Sequence, residues 1–189
     1  MSTPPTRVEP PYLGPTRPFA ERMLGAALLD PEVFEEVEAD AGATAQAATV
    51  VGLAAASAAF AQAEFGLAGV ASGVVGQLAG WSVWALITYV IGDKILGGTA
   101  TWGQLLRTLG FAQAPGILMV LTTIPGMAWL RWVIGAWLLL AGLMAIRQAL
   151  DVGTARAVVT AVLGFAAFVG TALLLAAALG IPLTGLVRP

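Results

Sequence analysis

The chain has 189 residues, 58% of them apolar and 11% charged, with a net charge of −2, against roughly 45–50% apolar and 25% charged in a soluble domain. Cysteine and histidine are absent, which excludes a disulfide framework, a thiol nucleophile, an imidazole base and an ordinary transition-metal site. Nine scattered basic residues cannot build a phosphate-tracking patch, so nucleic acid is not an expected partner; no cofactor is expected either.

The acidic residues divide the chain. Eight of the eleven precede position 41, leaving Glu64, Asp93 and Asp151 for the rest, so a polar N-terminal tail leads into a membrane body. Residues 1–20 are rich in proline and lack the apolar stretch of a signal peptide; they read as an extended, disordered arm. Residues 21–42 read as amphipathic, acidic tail helices. In "ALLDPEVFEEVEADA", Asp30 is placed to cap and Pro31 to occupy the first turn, with Val33, Phe34 and Val37 as an apolar stripe opposite a solvated face of Glu32, Glu35, Glu36 and Glu38.

From 43 to 181 the sequence predicts a five-span membrane domain, with spans at about 43–63, 67–91, 110–124, 127–146 and 157–181, followed by a short exterior C-terminus at 182–189. The runs are continuous rather than alternating, so the fold class is all-α, an integral membrane five-helix bundle. With the N-terminus cytoplasmic, that side collects Arg7, Arg17, Arg22, Lys94, Arg107, Arg147 and Arg156, and the far side keeps Arg131 and Arg188. This predicts an N-in, C-out topology. Trp102, Arg107, Trp129, Arg131 and Trp132 are expected as interface anchors, and "TATWGQLLRTLG" as a piece that runs along the interface before turning inward.

The Ala-rich first span is weakly hydrophobic and expected to insert as a hairpin with the second. There Gly69, Gly73, Gly76 and Gly80 recur at spacings of four, three and four, a small-residue seam expected to pack on the first span, with self-association as the sharper alternative. The third span carries a break. In "RTLGFAQAPGILMVLTTIP", Pro115 removes an amide hydrogen at half depth, and Gln113 or Gln77 of the second span is expected to face the bundle interior and supply the missing donor. Ser57, Ser72 and Ser82 have no base to activate them, so no catalytic residue and no enzyme is expected.

The stretches "MLGAALLDPEVFEEV", "GDKILGGTATWGQLLRTLGFAQAPGILMVL" and "WLLLAGLMAIRQALDVGTARAVVTAVLGF" together resemble the Yip-one domain family, the Ypt- or Rab-interacting membrane proteins and their prokaryotic relatives. The resemblance covers roughly residues 21–181. It implies five membrane helices, a cytosolic N-terminus, no enzymatic activity and, in eukaryotes, partnership with small GTPases and other family members in ER and Golgi membranes. Eight Arg to one Lys in an Ala- and Gly-rich chain fits a GC-rich prokaryotic genome, which would place the protein in the cytoplasmic membrane. The expected function is a non-catalytic membrane scaffold or adaptor, in contact with the lipid bilayer and other membrane proteins. The alternative is a small transporter, channel or lipid-handling protein that uses the broken third span.

Overall fold

The computed structural model describes residues 16–61 and 66–178. Two short helices, α1 (Phe19–Ala27) and α2 (Pro31–Ala39), precede α3 (Ala43–Ala61) and α4 (Leu67–Tyr89), which continues into a π turn at Val90–Ile95. Next come α5 (Trp102–Phe111), a 3₁₀ helix (Ala114–Thr123), α6 (Leu130–Ala149) and α7 (Thr154–Ala178). Among the described residues, five helices are long and apolar enough to cross a membrane, at Ala43–Ala61, Gly69–Ile95, Trp102–Thr123, Leu130–Ala149 and Thr154–Thr171. The all-α membrane bundle expected from the sequence is therefore the observed architecture. Of the expected segments, most of the proline-rich arm and the C-terminal piece 182–189 lie outside the described residues.

The third span departs most from its expected outline. Taken alone, residues 110–124 as an α-helix would rise about 22 Å, short of a hydrocarbon core of roughly 30 Å. Instead α5 stacks directly onto the 3₁₀ helix, and the steeper 3₁₀ rise lets the twenty helical residues extend about 35 Å. Thr101 opens this span with a capping box: its hydroxyl accepts from the Gln104 amide at 3.3 Å, and its own amide donates to Gln104 Oε1 at 2.6 Å. At the other end Ile124–Met127 closes a turn, with Pro125 second, Gly126 at φ 83° third and Met127 N bonded to Ile124 O at 3.0 Å.

Burial makes the third span the hub. Some 56% of its window is buried, against 17–33% for the other four. It packs on α3, α4 and α6, while α7 packs on α4 and α6.

The tail helices pack on the flank of this hub. Asp30 caps α2 as expected, accepting from Glu32 N at 3.0 Å, and Val33, Phe34 and Val37 are fully or almost fully buried. Phe19 meets Phe111 edge-on at 6.3 Å between ring centroids, and Trp137 Nε1 donates to Ala27 O at 2.6 Å. Phe111 and Trp137 lie about 14 and 18 Å from the Trp102 and Ala149 ends of their spans, so α1 reaches roughly half-way along the bundle. Glu36 does not share the expected solvated face of α2. It is 0% exposed and bonds Arg22 Nε at 2.8 Å, and Arg17 through both the backbone amide at 2.8 Å and Nη1 at 2.9 Å. Arg22 also reaches Asp40 Oδ2 at 2.8 Å and Gln46 Oε1 at 3.1 Å. The acidic helix thus finds basic partners within the chain, Arg22 of α1 and Arg17 just before it.

Candidate functional site: a cleft inside the membrane

The break at Gln113–Pro115 is a change of helix type rather than a bend in one α-helix. Ala112 N still reaches back four residues to Thr108 O at 3.0 Å, but Gln113 N reaches only three, to Gly110 O at 3.1 Å, and Gly116 N reaches Gln113 O at 2.8 Å. Tightening the ladder where Pro115 has no donor carries the chain across the gap. A 3₁₀ run of ten residues is long for its type and needs outside support. Ser57 of α3 gives it: its hydroxyl donates to Ile117 O at 2.7 Å and accepts from Val120 N at 2.8 Å. Gln77 and Gln113, the expected donors, make no side-chain hydrogen bond among the described residues. A short hydroxyl fits the close contact with α3, where Ala54 lies 3.2 Å from a Cβ built at Gly116. The cue for Ser57 was a small polar residue in an otherwise alanine run, legible only once its register against the third span is known.

Both glutamines instead border a cleft. Three adjoining cavities of about 320, 270 and 450 Å³ share Gln113, and Gln77 lines the first two. The first is floored by small residues, including Ala58, Ala59, Gly73 and Gly116. The second lies under Trp81, Trp84, Phe165 and Phe168, where both phenylalanines meet Trp84 edge-on at 6.4 and 5.8 Å. The third runs between α6 and α7 past Leu139 and Gly142. Leu139 and Phe165 are 77% and 62% exposed, so the cleft opens sideways, toward lipid. Among the described residues, no ionisable side chain lines any of the three cavities.

The glycine seam contributes less to packing than its spacing suggested. A Cβ at Gly73 would meet only Ala59 at 3.9 Å, one at Gly80 only Phe168 at 3.9 Å, and one at Gly76 nothing within 4 Å. Gly69 lies on the same helix near its N-terminal end. Close approach occurs elsewhere. At Gly110 a Cβ would fall 2.7 Å from Ala47 Cβ and 3.1 Å from Trp81 Cζ2. Gly110 escaped the sequence reading because a lone glycine carries no periodic signal.

Of the expected anchors, Trp129 and Trp132 are 60% and 78% exposed, and Arg131 is exposed with its Nε on Ala128 O at 3.2 Å. Trp102 is 45% exposed, its indole donating to Ser82 O at 3.3 Å. Arg107 differs. It is 8% exposed, and its Nε donates to Val37 O at 2.9 Å and Glu38 O at 3.0 Å, with Nη2 also on Glu38 O. A cation at the C-terminal carbonyls of α2 satisfies groups the helix cannot pair itself and complements its dipole. Gln104 Nε2 adds a bond to Glu38 Oε1 at 2.8 Å, so the third span holds the tail helix by two side chains one turn apart.

Sequence comparison adds the decisive observation: the Yip1 domain matches residues 26–178, most of the chain. The chain belongs to the Yip1 domain family. Comparison with curated proteins and with solved structures finds no match. The Yip1 match begins in α1 and ends with α7, so it takes in α2, all five spans and the cleft between them. The protein is an integral, multi-pass membrane protein of this family.

Proposed function

We propose that this Yip1-domain protein is a non-catalytic membrane scaffold or adaptor that holds other membrane proteins through its helices. The observation that carries the reading is the cleft: it opens sideways into the bilayer and offers amides and apolar surface, with no ionisable group among its lining residues. Amides form hydrogen bonds but do not serve as general acids, bases or nucleophiles at ordinary pH. The intramembrane serines are also committed to structure, with Ser57 donating to Ile117 O, Ser72 to Gly69 O and Ser82 to Leu78 O.

Captured intact from its native membrane, the protein is expected to bring discrete membrane proteins with it in stoichiometric amounts. A stoichiometric lipid or solute in their place would favour the second reading, a small transporter, channel or lipid-handling protein, whose support is that the third-span break borders the same cavities. Small-GTPase partners belong to the proposal only for a eukaryotic source. The seven-to-two basic bias supports an N-in orientation. A cysteine at Gly153 should then react with an impermeant thiol reagent only from the cytoplasmic side, and one at Gly66 from outside. Exterior labelling at position 153 would reverse the orientation.

A further inference from the structure

Gln77 and Gln113 fix the kind of occupant the cleft can take. Gln77 lies about 12 Å from the Gly69 end of its span and Gln113 about 16 Å from the Trp102 end, both well inside a core of roughly 30 Å. Each carboxamide carries two donors and an acceptor oxygen, and an amide left unpaired in hydrocarbon is strongly unfavourable. A lipid chain fills volume at that depth but brings no donor or acceptor, because its ester groups lie at the interface. A transmembrane helix with a polar side chain near its middle supplies both the apolar contact and the hydrogen bond. A second copy of this chain fits less well, because its own unpaired mid-depth amides, Gln77 and Gln113, sit inside the same concave cleft and cannot enter another's.

We propose that the cleft docks one transmembrane helix of a different membrane protein, carrying Asn, Gln, Ser or Thr near mid-depth. That side chain bonds Gln113 and Gln77, while its apolar neighbours pack against Trp84, Phe165 and Leu139. The proposal rests on the scaffold reading and adds to it the site and the chemistry of the partner.

The test uses the full chain in its native membrane, with a photoreactive benzoylphenylalanine at Leu139 on the rim or at Leu53, which is 45% exposed on α3 and lines none of the three cavities. Irradiation is expected to join position 139, but not 53, to one membrane protein, with the linked peptide from a span holding one of the four polar residues. Gly142→Leu provides the control for folding. A Cβ at Gly142 meets nothing within 4 Å, so the added side chain fills the groove without a clash. It should lower the adduct at least tenfold while the melting temperature is unchanged or higher. Adducts with lipid alone, with a second copy of this chain, or with a span lacking such a residue would each overturn the proposal. If Gly142→Leu still co-purifies its membrane-protein partners undiminished, the scaffold reading stands and the cleft assignment falls. If the unaltered protein brings down no membrane protein, both fall together.

Discussion

The two halves of the third span are built to opposite rules. Along α5, residues Gln104, Leu105 and Arg107–Phe111 are all buried, and Gln104, Arg107 and Thr108 each hydrogen-bond through their side chains. Along the 3₁₀ helix only Ala114, Pro115 and Gly116 are buried, and among the described residues a single serine braces the backbone and Gln113 at the junction has no side-chain partner. One half is clamped by side-chain bonds to α2, and the other faces a cleft. A protein that holds partners inside the membrane needs both: a closed half that fixes where the helices stand, and an open half with hydrogen-bonding capacity to spare. Substitutions that destabilise the closed half and spare the open half would sharpen the contrast, and equal effects would break it.

The largest effect is expected at Glu36. Glu36→Ala removes the carboxylate that Arg22 and Arg17 share and leaves Arg22, only 2% exposed, with Asp40 and Gln46 alone. Breaking a buried ion pair from one side costs about 3–5 kcal/mol, and the remaining partners of Arg22 place this case at the lower end. The check is thermal melting in detergent, and a loss under 1 kcal/mol would mean that the tail helices do not clamp the hub. Gly110→Leu comes next. Its Cβ would collide with Ala47 at 2.7 Å, an overpacking expected to cost about 1–3 kcal/mol. Gly76→Leu, pointing into open space on the cleft-side helix, should leave melting unchanged.

That pair of glycines also shows what the sequence can and cannot tell. Span number, helical class and the Asp30 cap were legible because hydrocarbon thickness and helix-start chemistry act on local residue runs. Which face of α4 meets α3 was not, because helical spacing shows only that Gly69, Gly73, Gly76 and Gly80 share a side, without saying what lies opposite. Arg107 and Glu36 were misplaced for a related reason. A charge near a predicted interface is sent to water unless its partner is known, and the partners stand 14 to 70 residues away. Gln113 and Pro115 were recognised as a break, but the donor that repairs it came from a serine 60 residues earlier.

Ser57→Ala tests that repair. It removes the bonds from Ser57 to Ile117 O and from Val120 N to Ser57, and interhelical hydrogen bonds in membranes average about 0.6 kcal/mol with a maximum near 1.7. A loss in that range is expected, with Ser57→Thr retaining most of the stability.

Acid should act on the closed half alone. Burial opposes the charge on Asp40, but the hydrogen bonds from Arg22 and from the Gly42 amide outweigh it and hold the carboxyl below its usual range. A carboxyl depressed on folding stabilises fully above its unfolded value, about 3.9, and loses that contribution as pH falls through the lower folded value. Melting temperature should therefore decline from about pH 4.5 downward, and Asp40→Asn should flatten the decline in that range. An unchanged acid slope in the variant would assign the decline to other carboxylates.

The smallest expected effect separates the halves most sharply. If Gln113 braced the break, Gln113→Leu would cost about 0.6–1.7 kcal/mol, as for any interhelical hydrogen bond. Its amide makes no such bond among the described residues and lines all three cavities, so the substitution removes a polar group that none of those residues pairs. Replacing an unsatisfied amide by a side chain of similar volume is neutral or stabilising. The isolated protein carrying Gln113→Leu should thus melt at or slightly above the temperature of the unaltered chain. Stability held and partner recovery lost would mark Gln113 as a contact kept for another molecule. A clear drop in melting would instead return it to the structural role that Ser57 fills here.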